Sequence, residues 1–132
     1  MGILDRFSLA GKIALVTAGA GPQFGSSLSE GLAEAGATVI TASRALQRNE
    51  EFAAQLRDKG YDAHGMEFEL GHPESTQALH DRIIAQFGRL DILVNSALQR
   101  EGHIGGLPQQ TPEVWRKAGE GDLGGLFHIC QL

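Results

Sequence analysis

Apolar residues in this chain follow two alternating patterns. Short apolar runs of strand length, partly β-branched, predict four strands, at 12–18, 38–42, 62–70 and 90–94. Between them, apolar residues recur every three or four positions and predict helices at 24–35, 45–59 and 73–87, with a fourth helix beginning after Thr111. Gly36, Gly60 and Gly88 stand where the first three helices are expected to end. The predicted order is β-α-β-α-β-α-β-α.

This alternation predicts a doubly wound α/β fold, with a parallel sheet, right-handed crossovers and helices on both faces. No linker divides the chain, so we expect one domain over residues 1–132. The predicted apolar faces of the first three helices contain Leu28, Leu32, Ala35, Phe52, Leu56, Leu79, Ile83, Ile84 and Phe87. The apolar face of the last helix, which could pack in the core or against a second subunit, contains Trp115, Leu123, Leu126, Phe127 and Cys130.

A turn with three glycines, Gly19, Gly21 and Gly25, joins the first predicted strand to the first predicted helix. Glycines allow a ligand to approach the backbone closely, and a helix N-terminus offers N–H groups and a positive dipole end to an anion. The spacing is one residue longer than the G-x-G-x-x-G fingerprint of dinucleotide-binding turns. The turn therefore predicts a phosphate-binding site, with a modified loop.

Composition narrows the classes of function. The net charge of −5 argues against a nucleic-acid backbone as partner. The single cysteine, Cys130, allows no internal disulfide, and neither a membrane-spanning run nor a signal-peptide pattern is found, so we expect a soluble cytoplasmic protein. No histidine stands at a close zinc-ligand spacing, which predicts no metal site; the five histidines are His64, His72, His80, His103 and His128.

Four short motifs occur in a defined order. They are Leu9-Ala10-Gly11-Lys12 before the first strand, Leu15-Val16-Thr17 leading into the glycines, FGRLDILVN at 87–95, and Gly125-Leu126-Phe127 in the last helix. With these motifs the chain resembles the short-chain dehydrogenase/reductase family from Leu9 to Cys130, which is the N-terminal half of a typical member. The resemblance implies a Rossmann-type fold, truncated relative to the full family fold.

The family's glycine turn, Thr-Gly-x-x-x-Gly-x-Gly, corresponds to residues 17–25 with one residue added. Two alignments remain open. Either Ala18 is inserted and Gln23 replaces the middle glycine, or Ala18 replaces the first glycine and the extra residue lies further on. The resemblance implies cofactor contacts from Thr17, Gly19, Gly21, Phe24 and Gly25.

The family's Asn-Asn-Ala-Gly motif corresponds here to Asn95-Ser96-Ala97-Leu98. The resemblance implies that Asn95 steadies the sheet edge by hydrogen bonds and that the backbone of Ser96 and Ala97 passes the adenosine ribose. Leu98 adds a side chain that could narrow the cofactor groove. Asp122 takes the position of the family Asn that holds a water of the proton relay, but a carboxylate cannot donate as an amide does.

The end of the second strand, Thr41-Ala42-Ser43-Arg44, lacks the carboxylate that would hold the ribose 2′-hydroxyl of NAD. Ser43 can donate to a phosphate and Arg44 offers a bidentate cation, which favours NADP over NAD as cofactor. Alternatively, Arg44 only caps the strand at the surface. Glu69 and Leu70 correspond to the family's residues at the adenine, although Glu69 could equally be a surface acid.

The resemblance implies an NAD(P)-dependent oxidoreductase that transfers hydride between the cofactor and an alcohol or carbonyl substrate. The family's catalytic Ser and Tyr-x-x-x-Lys have no counterpart, since Gly65 follows the only tyrosine, Tyr61, at the fourth position. We therefore expect no catalytic residue here and the N-terminal half of a longer enzyme, inactive alone. The alternative is a non-catalytic dinucleotide-binding module. In the family the last helix commonly packs in a dimer, which predicts a homo-oligomer through that helix.

Overall fold

The structure, a computed structural model, describes residues 1–98 and 106–132. Strands and helices alternate as the sequence predicts. They are β1 (Ile13–Thr17), α1 (Gly25–Glu34), β2 (Thr38–Ser43), α2 (Leu46–Asp58), β3 (Ala63–Glu67), α3 (Pro73–Phe87), β4 (Ile92–Val94), α4 (Pro112–Gly119) and α5 (Gly125–Ile129). Two 3-10 turns, Leu4–Phe7 and Leu107–Gln109, and a π-helical turn, Glu120–Gly124, complete the described elements.

The four strands form one parallel sheet in the order β3-β2-β1-β4. The register of β1 with β2 runs from Ile13 opposite Thr38 to Thr17 opposite Ala42. After β3 the chain crosses to the other side of β1, so the strand order reverses between β1 and β4. In an open parallel sheet, the carboxyl ends of the strands at such a reversal border a crevice. The predicted doubly wound Rossmann-type fold is confirmed.

Both faces of the sheet are covered. On one face, Leu15, Ile40 and Ala42 pack with Leu79 and Ile83 of α3. On the other face, Ala14, Val16 and Val39 form a second cluster with Ala33 of α1 and Ala37 after it. A third cluster lies between α2 and β3 and consists of Ala53, Leu56 and Ala63. Burial of these apolar side chains is the main favourable contribution to folding.

Asp91 links the amino ends of β1 and β4. Its Oδ2 accepts the Ile13 N–H at 2.9 Å, and its own N–H donates to the Ile13 carbonyl at 2.9 Å. Arg89 and Lys12 pair with the carboxylate, which is 12% exposed. The hydrogen bond from Arg89, then that from Ile13, hold the pKa of Asp91 below its ordinary value.

This lowered pKa predicts an acid-sensitive contribution to stability. The folded state favours ionised Asp91, so the contribution is present above the unfolded pKa of about 3.9 and is lost as pH falls through the lower folded pKa. Urea unfolding of Asp91→Asn should show lower stability than the unsubstituted protein at pH 7. The difference should shrink as pH falls below about 4. Asp58→Asn, at the exposed end of α2, is the control; a pH-independent deficit for Asp91→Asn would contradict the assignment.

The predicted inward face of α1 is buried only in part, with Leu32 packed against the second cluster. Leu28 is 42% exposed, whereas Gly25, Ser29 and Ala33 are buried. Small residues face the sheet because α1 begins against the glycine turn, where the Ser29 hydroxyl donates to the Gly19 carbonyl at 2.9 Å. Among the predicted inward residues of α3, Leu79 and Ile83 are buried but Ile84 is 39% exposed.

The apolar face predicted for the last helix is largely exposed and does not pack in the core. Trp115, Leu123 and Phe127 are between 61% and 72% exposed, and Cys130 is exposed. The π-helical turn separates α4 from α5, and the buried residues are Gly121 in the turn and Gly125 and Ile129 in α5. Close packing explains this choice, because a Cβ on Gly125 would lie 2.7 Å from Leu70 Cδ1.

The third strand is shorter than the predicted 62–70, at Ala63–Glu67. Phe68 and Leu70 are nevertheless buried beyond its end, where they join the cluster under α3 and α5. The predicted loop at 99–110 lies largely outside the described residues. No helix in the described parts of the chain is both long and apolar enough to span a membrane.

Candidate functional site

A cleft of about 630 Å³ lies at the carboxyl ends of β1, β2 and β4, where the strand order reverses. The glycine turn and the start of α1 form one wall, the end of β2 and the start of α2 form another, and the segments after β3 and β4 close it. The lining residues are Ala18, Ala20, Gly21, Pro22, Gln23, Phe24, Gly25, Ser43, Arg44, Ala45, Arg48, Phe68, Glu69, Leu70, Ser96, Ala97 and Leu98.

Thr17 joins two walls of the cleft from beneath. Its fully buried hydroxyl accepts the N–H groups of Ser96 and Ala97, each at 3.0 Å, and lies 3.4 Å from the Val94 carbonyl, to which it donates. The end of β1 therefore holds the backbone that follows β4. A buried hydroxyl with three partners is fully satisfied and orients the segment around it.

The glycine turn is compact and close to its own helix. Ala18 has a φ of +53°, in the left-handed region that glycine adopts most readily, and it directly follows Thr17. This backbone favours the alignment in which Ala18 replaces the first glycine and the extra residue lies further along the turn. Gly25, the first residue of α1, lies so near Ala18 that a Cβ on Gly25 would be 1.9 Å from the Ala18 carbonyl oxygen.

Two arginines and one glutamate provide the charges lining the cleft. Arg44 follows β2, and Arg48 lies in the first turn of α2. Arg44 Nη1 is 3.8 Å from Glu69 Oε1, with the two side chains 62% and 44% exposed. An ion pair this exposed contributes little to stability, so Arg44 is accessible to another anion. Glu69 also lies 3.7 Å from His72 Nε2.

Asn49 of α2 holds the end of β2 beside these charges. Its fully buried side-chain amide donates to the Met66 carbonyl at 2.7 Å and to the Ser43 carbonyl at 3.2 Å. The Ser43 hydroxyl donates to Asn49 Oδ1 at 2.9 Å. Asn49 thereby ties the ends of β2 and β3 to α2.

The structure brings most of the residues predicted to bind a cofactor to this cleft. Those that line it are Gly21, Phe24, Gly25, Ser43, Arg44, Glu69, Leu70, Ser96 and Ala97. Thr17 and Gly19 are buried beneath it. Asn95 does not line it; its Nδ2 lies 3.4 Å from Cys130 Sγ and so connects the segment after β4 with the end of α5. Asp122 is half-buried in the π-helical turn.

Sequence reasoning missed Arg48 and Asn49. Arg48 stands four positions after Arg44, so a helix starting at Ala45 already places it near that arginine. Asn49 lies on the same helical face as Phe52 and Leu56, where a polar residue must find buried partners. A polar residue on a predicted apolar face was therefore the available signal.

The described residues contain no cluster of three His, Cys, Asp or Glu side chains that could hold a metal ion. His64, His72 and His80 instead lie beside the acidic residues Asp62, Glu74 and Asp81. His103 lies outside the described residues.

Comparisons with known proteins identify the family to which this chain belongs. The sequence model of the short chain dehydrogenases matches residues 12–132. An uncharacterized oxidoreductase of Mycobacterium tuberculosis is 40% identical over 94 residues, which is 71% of this chain and 35% of the relative. D-threitol dehydrogenase of Mycolicibacterium smegmatis is 35% identical over 127 residues, covering 95% of this chain and 47% of the relative. The chain therefore belongs to the short-chain dehydrogenase/reductase family.

A solved structure supports the same assignment. Gluconate 5-dehydrogenase from Burkholderia cenocepacia J2315, crystallised with NADP and tartrate, superposes with a TM-score of 0.84 at 34% identity. The match covers 98% of this chain and 50% of that chain. The chain thus spans half or less of the length of these relatives.

Proposed function

We propose that this chain binds NADP in the cleft and forms the cofactor-binding part of an oxidoreductase. The reaction would transfer hydride between the nicotinamide and an alcohol or carbonyl substrate. One observation carries the proposal. The glycine turn, the Arg44–Arg48 pair and the backbone of Ser96 and Ala97 line a single cleft at the reversal of the strand order.

The chemistry of the lining residues fits a phosphorylated dinucleotide. The start of α1 at Gly25 offers a helix N-terminus for the pyrophosphate. Arg44 and Arg48 offer guanidinium groups to a 2′-phosphate, and the apolar surface of Leu70 and Ala97 suits an adenine and its ribose. Glu69 opposes only one of the two cations, so the local charge favours an anion.

The bound cofactor would supply the hydride chemistry. The residues of this chain would bind and orient it, and none of them is proposed as catalytic. The NADP-containing structure of gluconate 5-dehydrogenase supports NADP over NAD, and family membership supports oxidoreductase activity in the whole protein.

The exposed Trp115, Leu123 and Phe127 support association of two copies through α4 and α5.

Titration of the 132-residue chain with NADPH and with NADH, followed by nicotinamide fluorescence, tests the proposal. We expect saturable binding of both, with preference for NADPH. Arg44→Gln should weaken NADPH binding about tenfold, as the loss of one charge-assisted hydrogen bond predicts, and leave NADH binding nearly unchanged.

Arg6→Gln, in the 3-10 turn Leu4–Phe7, is the matched control and should not alter either affinity. Failure of both cofactors to bind would overturn the proposed function. Preferential NADH binding, or equal loss of both cofactors in Arg44→Gln, would leave a dinucleotide site but contradict the choice of NADP.

A further inference from the structure

The buried amide of Asn49 has only one orientation that satisfies its neighbours. The atom assigned as Nδ2 faces two carbonyl oxygens, those of Ser43 and Met66, at 3.2 and 2.7 Å. Carbonyl oxygens only accept hydrogen bonds, so the reversed amide would place an acceptor against two acceptors in a fully buried position. The other atom, which faces the Ser43 hydroxyl, is therefore the amide oxygen.

This orientation determines the direction of the Ser43 hydrogen bond. An amide oxygen only accepts, so the Ser43 hydroxyl must donate its single hydrogen to Asn49 Oδ1, at 2.9 Å. The Ala45 N–H, at 3.3 Å, donates to the same hydroxyl oxygen. Ser43 lines the cleft with no hydrogen left to donate and with acceptor capacity remaining. A phosphate oxygen is itself an acceptor, whereas a ribose hydroxyl can donate.

We infer that Asn49 is a positioning residue that influences the choice between NADP and NAD. By orienting the Ser43 hydroxyl, Asn49 makes Ser43 a hydrogen-bond acceptor toward the adenosine ribose, and this weakens the preference for a cofactor with a 2′-phosphate. This inference rests on the proposed binding of a nicotinamide dinucleotide. Recognition of the phosphate falls to Arg44 and Arg48, while Ser43 favours the free 2′-hydroxyl. The sequence-based role of Ser43 as a phosphate donor is replaced by the opposite role.

The test is the ratio of NADPH affinity to NADH affinity in variants of the chain. In Ser43→Ala the ratio should rise about fivefold, because an acceptor that favours the hydroxyl and disfavours the phosphate is removed. In Asn49→Leu the freed Ser43 hydroxyl can donate to the phosphate, and the ratio should rise by more than in Ser43→Ala. Adding Ser43→Ala to Asn49→Leu should remove the part of the rise that depends on the freed hydroxyl.

Thr41→Val is the matched control. The Thr41 hydroxyl contacts the Asn49 carbonyl at 3.4 Å but is buried away from the cleft, so its loss should not change the ratio. Ser43→Ala keeps the proposal testable if Asn49→Leu does not fold.

A ratio that falls in Ser43→Ala would mean that Ser43 donates to the phosphate, and an unchanged ratio would mean that Ser43 does not discriminate; either result overturns the inference while the proposed function stands. Absence of binding by the unsubstituted chain to both cofactors would instead overturn the proposed function, and the inference with it.

Discussion

Gly25→Ala should lower the free energy of unfolding by roughly 3 kcal/mol, the upper part of the usual range for overpacking. A Cβ at this position would lie 1.9 Å from the Ala18 carbonyl oxygen and 2.9 Å from the Ala18 carbonyl carbon. These are backbone atoms, which cannot rotate away as a flexible side chain can. The glycine turn would have to move from the start of α1, and the proposed cofactor binding in the cleft should weaken with it.

Gly31→Ala provides a control within the same helix. Apart from the adjoining residues and the backbone of α1 itself, no atom lies within 4 Å of a Cβ built on Gly31, so the substitution should raise stability by about 0.5–1 kcal/mol through helix propensity. Urea unfolding at neutral pH measures both variants. If the two alanine variants change stability by the same amount, close packing at Gly25 is not the reason that glycine occupies this position.

Thr17→Val should cost about 2–3 kcal/mol, because the N–H groups of Ser96 and Ala97 lose their common acceptor while the shape of the side chain is preserved. The segment after β4 would then be less firmly held against the end of β1. Equilibrium unfolding in urea gives the loss directly. A weaker affinity for NADPH should accompany it, since Ser96 and Ala97 line the cleft.

Thr41→Val separates the hydrogen bonds of Thr17 from the general effect of removing a buried hydroxyl. Both threonines are fully buried, but Thr41 makes a single long contact of 3.4 Å to the Asn49 carbonyl. We expect Thr41→Val to cost less than about 1 kcal/mol. Equal losses in the two valine variants would show that the Ser96 and Ala97 contacts contribute no special stability.

Much of the fold could be predicted because its signals are local. Gly88 ends α3 in a left-handed conformation, with φ +76°, as a glycine after a helical pattern predicts. Thr111 begins α4 by accepting the Val114 N–H at 3.2 Å, also as predicted. Most residues expected to bind a cofactor lie at the cleft, because turns that follow parallel strands meet at one edge of the sheet.

Side-chain partners in the cleft could not be predicted in the same way. The pairing of Arg44 with Glu69 depends on how the ends of β2 and β3 approach each other, and those residues lie far apart in the chain. The direction of the Ser43 hydrogen bond depends on the Met66 carbonyl, which fixes the Asn49 amide from a different strand. The direction of this hydrogen bond is therefore defined only when β2, α2 and β3 have packed together.

The sequence alone determines the order of strands and helices, the ends of the first three helices, the position of the glycine turn and the family resemblance. Each of these follows from periodicity, from backbone preference or from a short motif. Only the tertiary structure decided which faces of α1 and α5 are buried. The inward positions of α1 are Gly25, Ser29 and Ala33, and those of α5 are Gly125 and Ile129. Hydrophobic periodicity assumes that the largest apolar residues face inward, but at the point where a helix contacts a backbone turn, as at Gly25, only a small residue leaves enough space.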